Sequence, residues 1–294
     1  MLLKNLIVNP KSSVTIKLQG GLGNQLFQYA FGVAVVHRLG TNFQLDVAYF
    51  EADLSQYPTA IRRKYELDMF DIDLPIVHSK HFFYTSTNRV LTWLRKKLSQ
   101  NIGLPNYVAE ADFLEKFKDN TYYEGYWQNE LYFQEISEQI RANLKFRVPL
   151  SERSLPILKQ IKDSESVCIH VRRTDFLTDN RYEVLRIEYY QKAIQKLKNL
   201  HQNLLFFVFS DDIIWCKSQN FGDCRMIFVS DNQSLRDEFE LMIACKHHII
   251  ANSTLSWWAA RLNPNPNKKI IAPQKWFSDN TQSTTLIPER WIKI

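Results

Sequence analysis

The stretch Val167–Phe176, which reads VCIHVRRTDF, decides the fold expected for this chain. Its first five residues, Val167–Val171, are apolar or nearly so and mostly β-branched, which is typical of a strand buried on both faces. Arg172, Arg173 and Asp175 follow where that strand should end, and ligands of open α/β sheets bind at the carboxyl ends of strands. Because paired guanidinium groups bind phosphate oxygens well, the stretch predicts a pyrophosphate site. Taken alone, a solvated basic strand end explains these residues equally well.

A glycine-rich turn, Gly20–Gln25, lies near the start of the chain. It separates the strand-like residues Val14–Leu18 from apolar residues with helical spacing, which begin at Leu26. The dinucleotide-binding fingerprint would need glycine at position 26, and a Walker phosphate loop would need a Gly-Lys-Ser/Thr ending. Neither is present, so the turn is explained as well by close helix–strand packing as by an anion bound at a helix N-terminus.

The composition describes an ordinary globular protein of one large or two medium domains, with 294 residues, 45% of them hydrophobic and 23% charged. The net charge of +6 comes from scattered basic residues. This pattern argues against nucleic acid as a partner and suits an anionic small molecule or an acidic membrane surface. Four cysteines without metal-ligand spacing predict reduced thiols. Met1–Val8 is too short for a signal peptide and no apolar run has transmembrane length, so we expect a cytoplasmic protein, with peripheral attachment to the inner face of the membrane as an option.

The order of strand and helix patterns predicts two domains, residues 1–150 and 151–294. Strands and helices alternate in the second domain, which indicates a parallel, doubly wound sheet. The predicted strands are Phe43–Asp46 and Tyr122–Trp127 in the first domain, and Ser166–Val171, Leu204–Phe209, Met226–Val229, His248–Ala251 and Lys269–Ala272 in the second. The predicted helices are one after the glycine turn, then Glu130–Leu144, Glu188–Asn199, Leu235–Cys245 and one after Ser253.

Three further polar groups lie where strands of the second domain should end or its helices should begin. Ser210–Asp212 is best explained as a helix N-cap with acidic first-turn residues. Asn252–Thr254 offers amide, hydroxyl and backbone donors to phosphate oxygens, although helix capping explains the same residues. Asp237 and Glu238 place carboxylates where a base or a ribose could bind, with a charged helix face as the simpler explanation.

In their order, and over nearly the whole chain, five motifs resemble the α-1,2-fucosyltransferases of glycosyltransferase family 11. The resemblance implies a GT-B-like α/β fold of two Rossmann-like domains facing a cleft, with an acceptor-side first domain and a GDP-fucose-binding second domain. It also implies an inverting enzyme that needs no metal or other cofactor and moves L-fucose from GDP-β-L-fucose to the 2-hydroxyl of a terminal β-galactoside. The motifs are Gly20–Ala30, Gly125–Gln128, His170–Asp175, Ser210–Asp212 and Cys245–Trp258.

The resemblance also assigns roles to individual residues. Arg172 shares the strand parity of His170, so we expect it to bind the β-phosphate, with Arg173 as a second ligand or as the partner that orients Asp175. Without a metal, fixed cations must stabilise the leaving GDP; Asp71–Asp73 has metal-binding spacing but lies outside the nucleotide-binding domain. The implied catalytic residues are Arg172, Arg173, Asp175 and Asn24, and the implied donor-binding residues are Gly23, Asn24, His170, Arg172, Glu238, Asn252, Ser253 and Thr254.

Three positions depart from the pattern of the family. Thr174 and Ala259 stand where many members have glycine, and Phe176 stands where tyrosine is common. Two other functions stay open. A GT-B transferase could use a different nucleotide sugar or form another fucosyl linkage. A non-catalytic sugar-binding module would suit the 13% aromatic content, but it would not explain paired arginines at a strand end.

Overall fold

Two parallel β-sheets form the two structural units of the chain, Met1–Arg147 and Val148–Ile294. The computed structural model describes residues 13–51, 62–79, 105–114, 116–179, 181–229, 233–278 and 286–294. Every strand pair within the two sheets is parallel. Parallel strands are covered on both faces, which accounts for the continuous apolar runs in the sequence.

The sheet of the N-terminal unit has five strands in the order β3-β2-β1-β5-β4. From β1 the chain builds outward on one side and returns on the other with β4 and β5. The carboxyl ends of β1 and β5 therefore border the topological switch point of this sheet, where open α/β sheets bind their ligands. The strands are β1 (Ser13–Lys17), β2 (Asn42–Asp46), β3 (Ile76–Val77), β4 (Asn106–Ala109) and β5 (Thr121–Glu124).

Helix α1 (Leu22–Leu39) follows the glycine-rich turn and is buried on nearly all sides. A helix that is apolar all round belongs in a core rather than at a surface. Gly32 allows the close approach to the sheet, because a Cβ there would lie 2.7 Å from the Phe43 ring. The helix ends at Gly40, which takes the left-handed conformation with φ +62°. In the part of the chain that is described, no helix is long and apolar enough to cross a bilayer.

The end of the N-terminal unit differs from the prediction. Strand β5 ends at Glu124 rather than at position 127, because Trp127 adopts a positive φ of 55°. The helix predicted over Glu130–Leu144 is split into two 3-10 turns and a short helix α2 (Ser137–Asn143). Phe133 interrupts the helical path, with φ −135° and ψ 9°, and its ring is buried 6.0 Å from that of Phe27. Burial of this aromatic residue overrides the local helix preference.

The sheet of the C-terminal unit has six strands in the order β11-β10-β9-β6-β7-β8. This is the strand order of the doubly wound dinucleotide-binding fold, with its switch point between β6 and β9. The predicted strands and helices of this unit are confirmed to within a few residues. The strands are β6 (Glu165–Val171), β7 (Leu204–Ser210), β8 (Arg225–Phe228), β9 (His247–Ile249), β10 (Ile270–Ala272) and β11 (Ile292–Lys293), and the helices are α3 (Leu155–Lys162), α4 (Ile187–Lys198), α5 (Ile213–Ser218), α6 (Leu235–Ala244) and α7 (Thr254–Leu262).

Strand β6 sorts its side chains between the two faces of this sheet. Val167, Ile169 and Val171 belong to the core cluster that includes Tyr190 of helix α4. Since side chains alternate along a strand, His170 points to the opposite face, and Arg172 follows with the same parity. Burying one aliphatic side chain of this core stabilises the fold by roughly 1.5–3 kcal/mol.

Candidate active site

Arg172 lies just beyond the end of β6 and is held by two carboxylates. Its Nε and Nη2 atoms donate to the two oxygens of Asp175 over 2.8 and 2.7 Å, and Nε lies 3.2 Å from Asp211. Burial alone would lower the pKa of Arg172, but the hydrogen bonds to Asp175 and the charge of Asp211 raise it above the ordinary value. The remaining nitrogen, Nη1, makes no hydrogen bond to a residue that the structure describes. Arg172 is thus a fixed cation with one edge for a ligand.

Arg173 points elsewhere. Its guanidinium lies 3.8 Å over the ring of Trp215 on α5, and its Nε atom is 3.3 Å from Asp212. The expectation that Arg173 orients Asp175 is therefore wrong, because Arg172 makes that bidentate pair. The reason is the turn that follows β6, which brings Asp175, three residues further on, back beside Arg172. The two arginines do not form a pair of parallel forks.

Asp211 shapes the loop that carries both arginines. Its carboxylate accepts from the backbone N–H groups of Arg173 and Thr174, over 2.9 and 3.2 Å, and from the Thr174 hydroxyl over 2.6 Å. Capping of α5 falls to the neighbouring Asp212, which accepts from the Trp215 N–H over 3.0 Å.

The sequence interpretation of Ser210–Asp212 as a cap holds for Asp212 and missed Asp211. The strand register explains the position of Asp211. Ser210 pairs with Val171, which brings the acidic pair beside the arginines.

His170, the last buried polar side chain of β6, lies beside Arg172. Burial and the positive charge of Arg172 lower the pKa of His170 to about 4, so the imidazole is neutral at physiological pH. Its Nδ1 atom is buried and has no hydrogen-bond partner among the described residues. A buried polar atom without a partner is uncommon and is often satisfied by a ligand or a water molecule.

Two adjacent carboxylates on α6 have different environments. Asp237 accepts from the hydroxyls of Ser151 and Ser154, so it fixes the start of the C-terminal unit rather than a ligand. Glu238 lies close enough to Arg172 and Asp211 for their charges to act on it, and burial raises its pKa to about 7. Glu238 therefore exchanges a proton near neutral pH, at the edge of the sheet where Arg172 lies.

Asn252, Ser253 and Thr254 lead from the carboxyl end of β9, the neighbour of β6, into α7. Asn252 donates both side-chain hydrogens to backbone carbonyls, those of Glu183 and Trp276, over 3.0 and 2.9 Å. Its amide thus joins two loops and has no hydrogen left for a phosphate, contrary to what the resemblance implied. Ser253 is the N-cap residue, and its side chain makes no capping hydrogen bond. The first-turn N–H groups from Thr254 onward are the donors that such a helix start offers to an anion.

The glycine-rich turn of the N-terminal unit is occupied by the unit's own side chains. Gly20 has φ +79°, and a Cβ there would collide with the Asn24 amide. Asn24 accepts from Gln128 over 2.9 Å. Gly23 is buried in the first turn of α1. Burial raises the pKa of Glu66, and a hydrogen bond from the Leu22 N–H, which opposes that rise, places its carboxylate at the start of α1. This helix terminus is therefore capped from within the unit.

Two fully buried glutamines of α1 hold the surrounding loops together. Gln25 donates to the carbonyls of Gly20 and Lys64 and accepts from the Glu66 N–H, over 3.0, 2.8 and 2.9 Å. Gln28 accepts from the Gln19 N–H and donates to the Gly125 carbonyl, both over 3.0 Å. Sequence reasoning missed both residues, because two glutamines beside an apolar stripe resemble a solvated helix face.

Among the described residues, one group has His and carboxylate atoms close enough to share a metal ion, namely Glu165, His201 and His247. It lines a cavity of about 600 Å³ at the amino ends of β6 and β9, the edge opposite Arg172. The Nδ1 atom of His247 accepts from the Lys269 N–H, and its Nε2 atom faces Glu165 over 2.9 Å, so Nε2 carries the proton. A metal-bound imidazole normally donates from its second nitrogen. The Lys246 ammonium is also 2.9 Å from Glu165, and this donor set suits hydrogen bonds better than a cation.

Comparison with solved structures shows the fold of the chain. The chain is similar to NodZ alpha-1,6-fucosyltransferase soaked with GDP-fucose, with a TM-score of 0.52, 16% identity, and coverage of 86% of this chain and 93% of the other. Fucosyltransferase NodZ from Bradyrhizobium gives a TM-score of 0.52 at 14% identity, covering 85% and 92% of the two chains. At such identities the likeness shows the fold alone. The fold is that of the GT-B glycosyltransferases, as the sequence predicts.

The particular family follows from sequence comparison. Residues 9–294 match the model of glycosyl transferase family 11, so the chain belongs to that family. It is 32% identical to the alpha-1,2-colitosyltransferase of Escherichia coli, over 96% of this chain and 99% of that protein. It is 24% identical to the galactoside 2-alpha-L-fucosyltransferase SEC1 of Bos taurus, over 86% of this chain and 65% of that protein. The chain is therefore a glycosyltransferase with α-1,2-fucosyltransferase relatives.

Proposed function

We propose that the chain transfers L-fucose from GDP-β-L-fucose to the 2-hydroxyl of a terminal β-galactoside, with inversion and without a metal ion. The observation that carries the proposal is Arg172, a guanidinium fixed by Asp175 at the switch point of a dinucleotide-type sheet. A diphosphate that leaves a sugar gains negative charge in the transition state. A fixed cation stabilises that charge without the cost of reorganising as the reaction proceeds.

In this mechanism the donor lies along the carboxyl edge of the C-terminal sheet. The Nη1 edge of Arg172 and the first-turn N–H groups of α7, from Thr254 onward, bind the pyrophosphate. The neutral His170 adds a polar contact without adding a charge. Glu238 in its ionised form accepts hydrogen bonds from the amide and amino groups of guanine. Asp211 does not bind the donor; it keeps the loop with Arg172 in shape.

The reaction itself is a displacement at the anomeric carbon of fucose. The bond from that carbon to the β-phosphate oxygen breaks, and its electrons leave with GDP. The 2-oxygen of the galactoside attacks from the opposite face and its proton passes to solvent water, so a β-linked donor gives an α-linked product. Arg172 meets the charge of the leaving group, which is the task that a divalent cation performs in other enzymes. We therefore expect transfer to continue at full rate in excess EDTA; loss of transfer that manganese or magnesium restores would overturn the metal-free mechanism.

A second donor is favoured by one specific observation. The relative with 32% identity over 96% of this chain is named an α-1,2-colitosyltransferase. Colitose is L-fucose without its 3-hydroxyl, so both donors present the same GDP group to Arg172. The choice between them depends on contacts to a single hydroxyl, and such a difference is decided by kcat/KM for the two donors.

The test is a transfer assay with the purified protein, GDP-fucose or GDP-colitose as donor, and a panel of β-galactosides. We expect a product in which the coupling constant of the new anomeric proton shows an α linkage and the bond lies at the galactose 2-oxygen. The matched control is the 2-deoxygalactoside of the best acceptor, which should give no product. A product from the 2-deoxy compound, or a linkage to another oxygen, would contradict the assigned regiochemistry.

A further inference from the structure

The turn after β5 contains an unusual backbone conformation. Trp127 has φ +55°, although it is large and fully buried. Bulky residues rarely adopt this left-handed region, and such outliers concentrate at functional sites. The ring of Trp127 stacks on that of Phe31 in α1, with a centroid distance of 3.9 Å and an angle of 9°. Its indole nitrogen is buried and has no hydrogen-bond partner among the described residues.

The residue before it, Tyr126, is fixed on both sides of its Cα atom. Its backbone N–H donates to Glu110 over 2.7 Å, and the preceding carbonyl, that of Gly125, accepts from the buried Gln28 over 3.0 Å. Gly125 has no room for a side chain, because a Cβ would overlap Glu110. Trp127, which follows Tyr126, fixes the backbone on that side because its ring is fully buried and its φ is positive. The fold thus fixes the backbone on both sides of Tyr126 and with it the direction of the Cα–Cβ bond, and the side chain itself lies outside the core.

Tyr126 itself is 44% exposed, whereas the other aromatic residues of this unit that the structure describes are buried or half-buried. It lies two residues from Glu124, at the carboxyl end of β5, and this end borders the switch point of the N-terminal sheet. Gln128, two residues further on, binds Asn24 of the glycine-rich turn. An exposed ring on a fixed backbone, in a segment that also carries carboxylate and amide groups, has the composition of a sugar site, since the ring covers the C–H face and the polar groups bind hydroxyls.

We propose that Tyr126 is the platform on which the terminal galactoside of the acceptor packs, through the apolar C–H face of the sugar. The inference rests on the proposed function, because it assigns a position to the acceptor of that reaction. The conformation of Trp127 and the hydrogen bonds to Glu110 and Gln28 hold in place the backbone that carries the ring. With the backbone already ordered, binding costs only the freedom of one side chain.

The experiment compares the variants Tyr126→Ala and Tyr126→Phe with Ile76→Ala, which removes a side chain of similar exposure from the same unit. Acceptor KM, donor KM and the hydrolysis of GDP-fucose without acceptor are measured for each. We expect Tyr126→Ala to raise the acceptor KM by about tenfold, the loss of one well-packed ring contact. Donor KM and hydrolysis should stay unchanged, and Tyr126→Phe should resemble the wild type because the ring provides the contact.

The outcomes separate the two levels of the proposal. Wild-type protein that transfers no fucose would contradict the proposed function before any variant is made. If the wild type transfers fucose and Tyr126→Ala keeps its acceptor KM, the platform is wrong. It is also wrong if Tyr126→Phe loses as much as alanine, or if the donor KM rises equally. Saturation-transfer difference spectra supply a second measurement: protons on one face of the galactoside should respond strongly in the wild type and weakly in Tyr126→Ala.

Discussion

The carboxyl edges of the two sheets use their polar side chains differently. In the C-terminal unit that edge holds Arg172, whose guanidinium is paired with the carboxyl groups of Asp175 and Asp211. In the N-terminal unit the charges at the strand ends, Lys17 and Glu124, pair with each other over 2.6 Å, and the buried neutral amides of Gln25 and Gln28 bind loop backbone, so we call this side the amide edge. Both edges lie at a topological switch point of a parallel sheet.

The same topology, a parallel sheet with a switch point, therefore supports two kinds of recognition. Charges fixed in a low-dielectric site respond strongly to charge that develops on a ligand. Neutral amides respond weakly to such charge, but they fix the shape of loops at little electrostatic cost. The charged edge therefore suits a nucleotide diphosphate that leaves during the reaction, and the amide edge suits a neutral sugar that must be positioned. The predictions below test this division.

The largest effect should follow the loss of Arg172. Arg172→Ala should reduce kcat/KM for GDP-fucose by about 30- to 900-fold, which corresponds to roughly 2–4 kcal/mol of transition-state stabilisation. Arg172→Lys should restore only part of it, because lysine keeps the charge and loses the planar fork. The matched control is Arg181→Ala, which removes an exposed arginine from the same loop and should leave kcat/KM near the wild-type value. Equal effects at the two positions would remove the basis for a fixed phosphate ligand.

Asp211 provides the second test, since it acts on the loop rather than on the donor. Asp211→Asn should lower kcat/KM by about 10- to 100-fold, because hydrogen bonds to a charged acceptor are worth roughly 1.5–3 kcal/mol. Asp212→Asn is the comparison: asparagine also caps helices, so the loss should be small. Because a positioning residue sets the geometry of Arg172, Asp211→Asn in the Arg172→Ala background should cost much less than it does alone. Full additivity would show that Asp211 acts independently of Arg172.

The third test addresses the amide edge. Gln28→Leu leaves the Gln19 N–H and the Gly125 carbonyl buried without partners, so the free energy of unfolding should fall by roughly 1–3 kcal/mol in urea denaturation. Protection of the protein by GDP should not change, because the proposed GDP site lies on the C-terminal unit and Gln28 lies in the N-terminal unit. The control Gln134→Leu, at an exposed position of the same unit, should leave stability unchanged. A loss of GDP protection in Gln28→Leu would show that the two edges do not divide the work as described.

The contrast between the edges also explains which features the sequence predicted. The strands of the C-terminal unit were found because β-branched apolar runs are needed for strands buried on both faces; the run Leu204–Phe209 is one example. The edge strand β11 was not found, because two residues carry no periodicity. Gln25 and Gln28 were missed since burial of an amide depends on loops that are distant in sequence. Asp211 was missed for the same reason, as its partners lie 37 and 38 residues earlier.

The smallest expected effect concerns the protonation of Glu238. Burial raises its pKa to about 7 in the free protein, so the carboxylate that guanine requires is mostly absent at pH 6 and mostly present at pH 8. The affinity for GDP-fucose should therefore rise by up to about tenfold over this range. GDP-fucose is the right probe because neither of its phosphates titrates there.

The groups around Glu238 should not obscure this dependence. Arg172 stays charged because its pKa is raised, burial and Arg172 lower the pKa of His170 to about 4, and burial raises the pKa of the Cys168 thiol well above the range. Glu238→Gln should abolish the dependence, and isothermal titration from pH 6 to 8 measures it. Tighter binding at pH 6 than at pH 8 would mean that protonated Glu238 donates a hydrogen bond to the donor, and its assignment to the guanine edge would then be wrong.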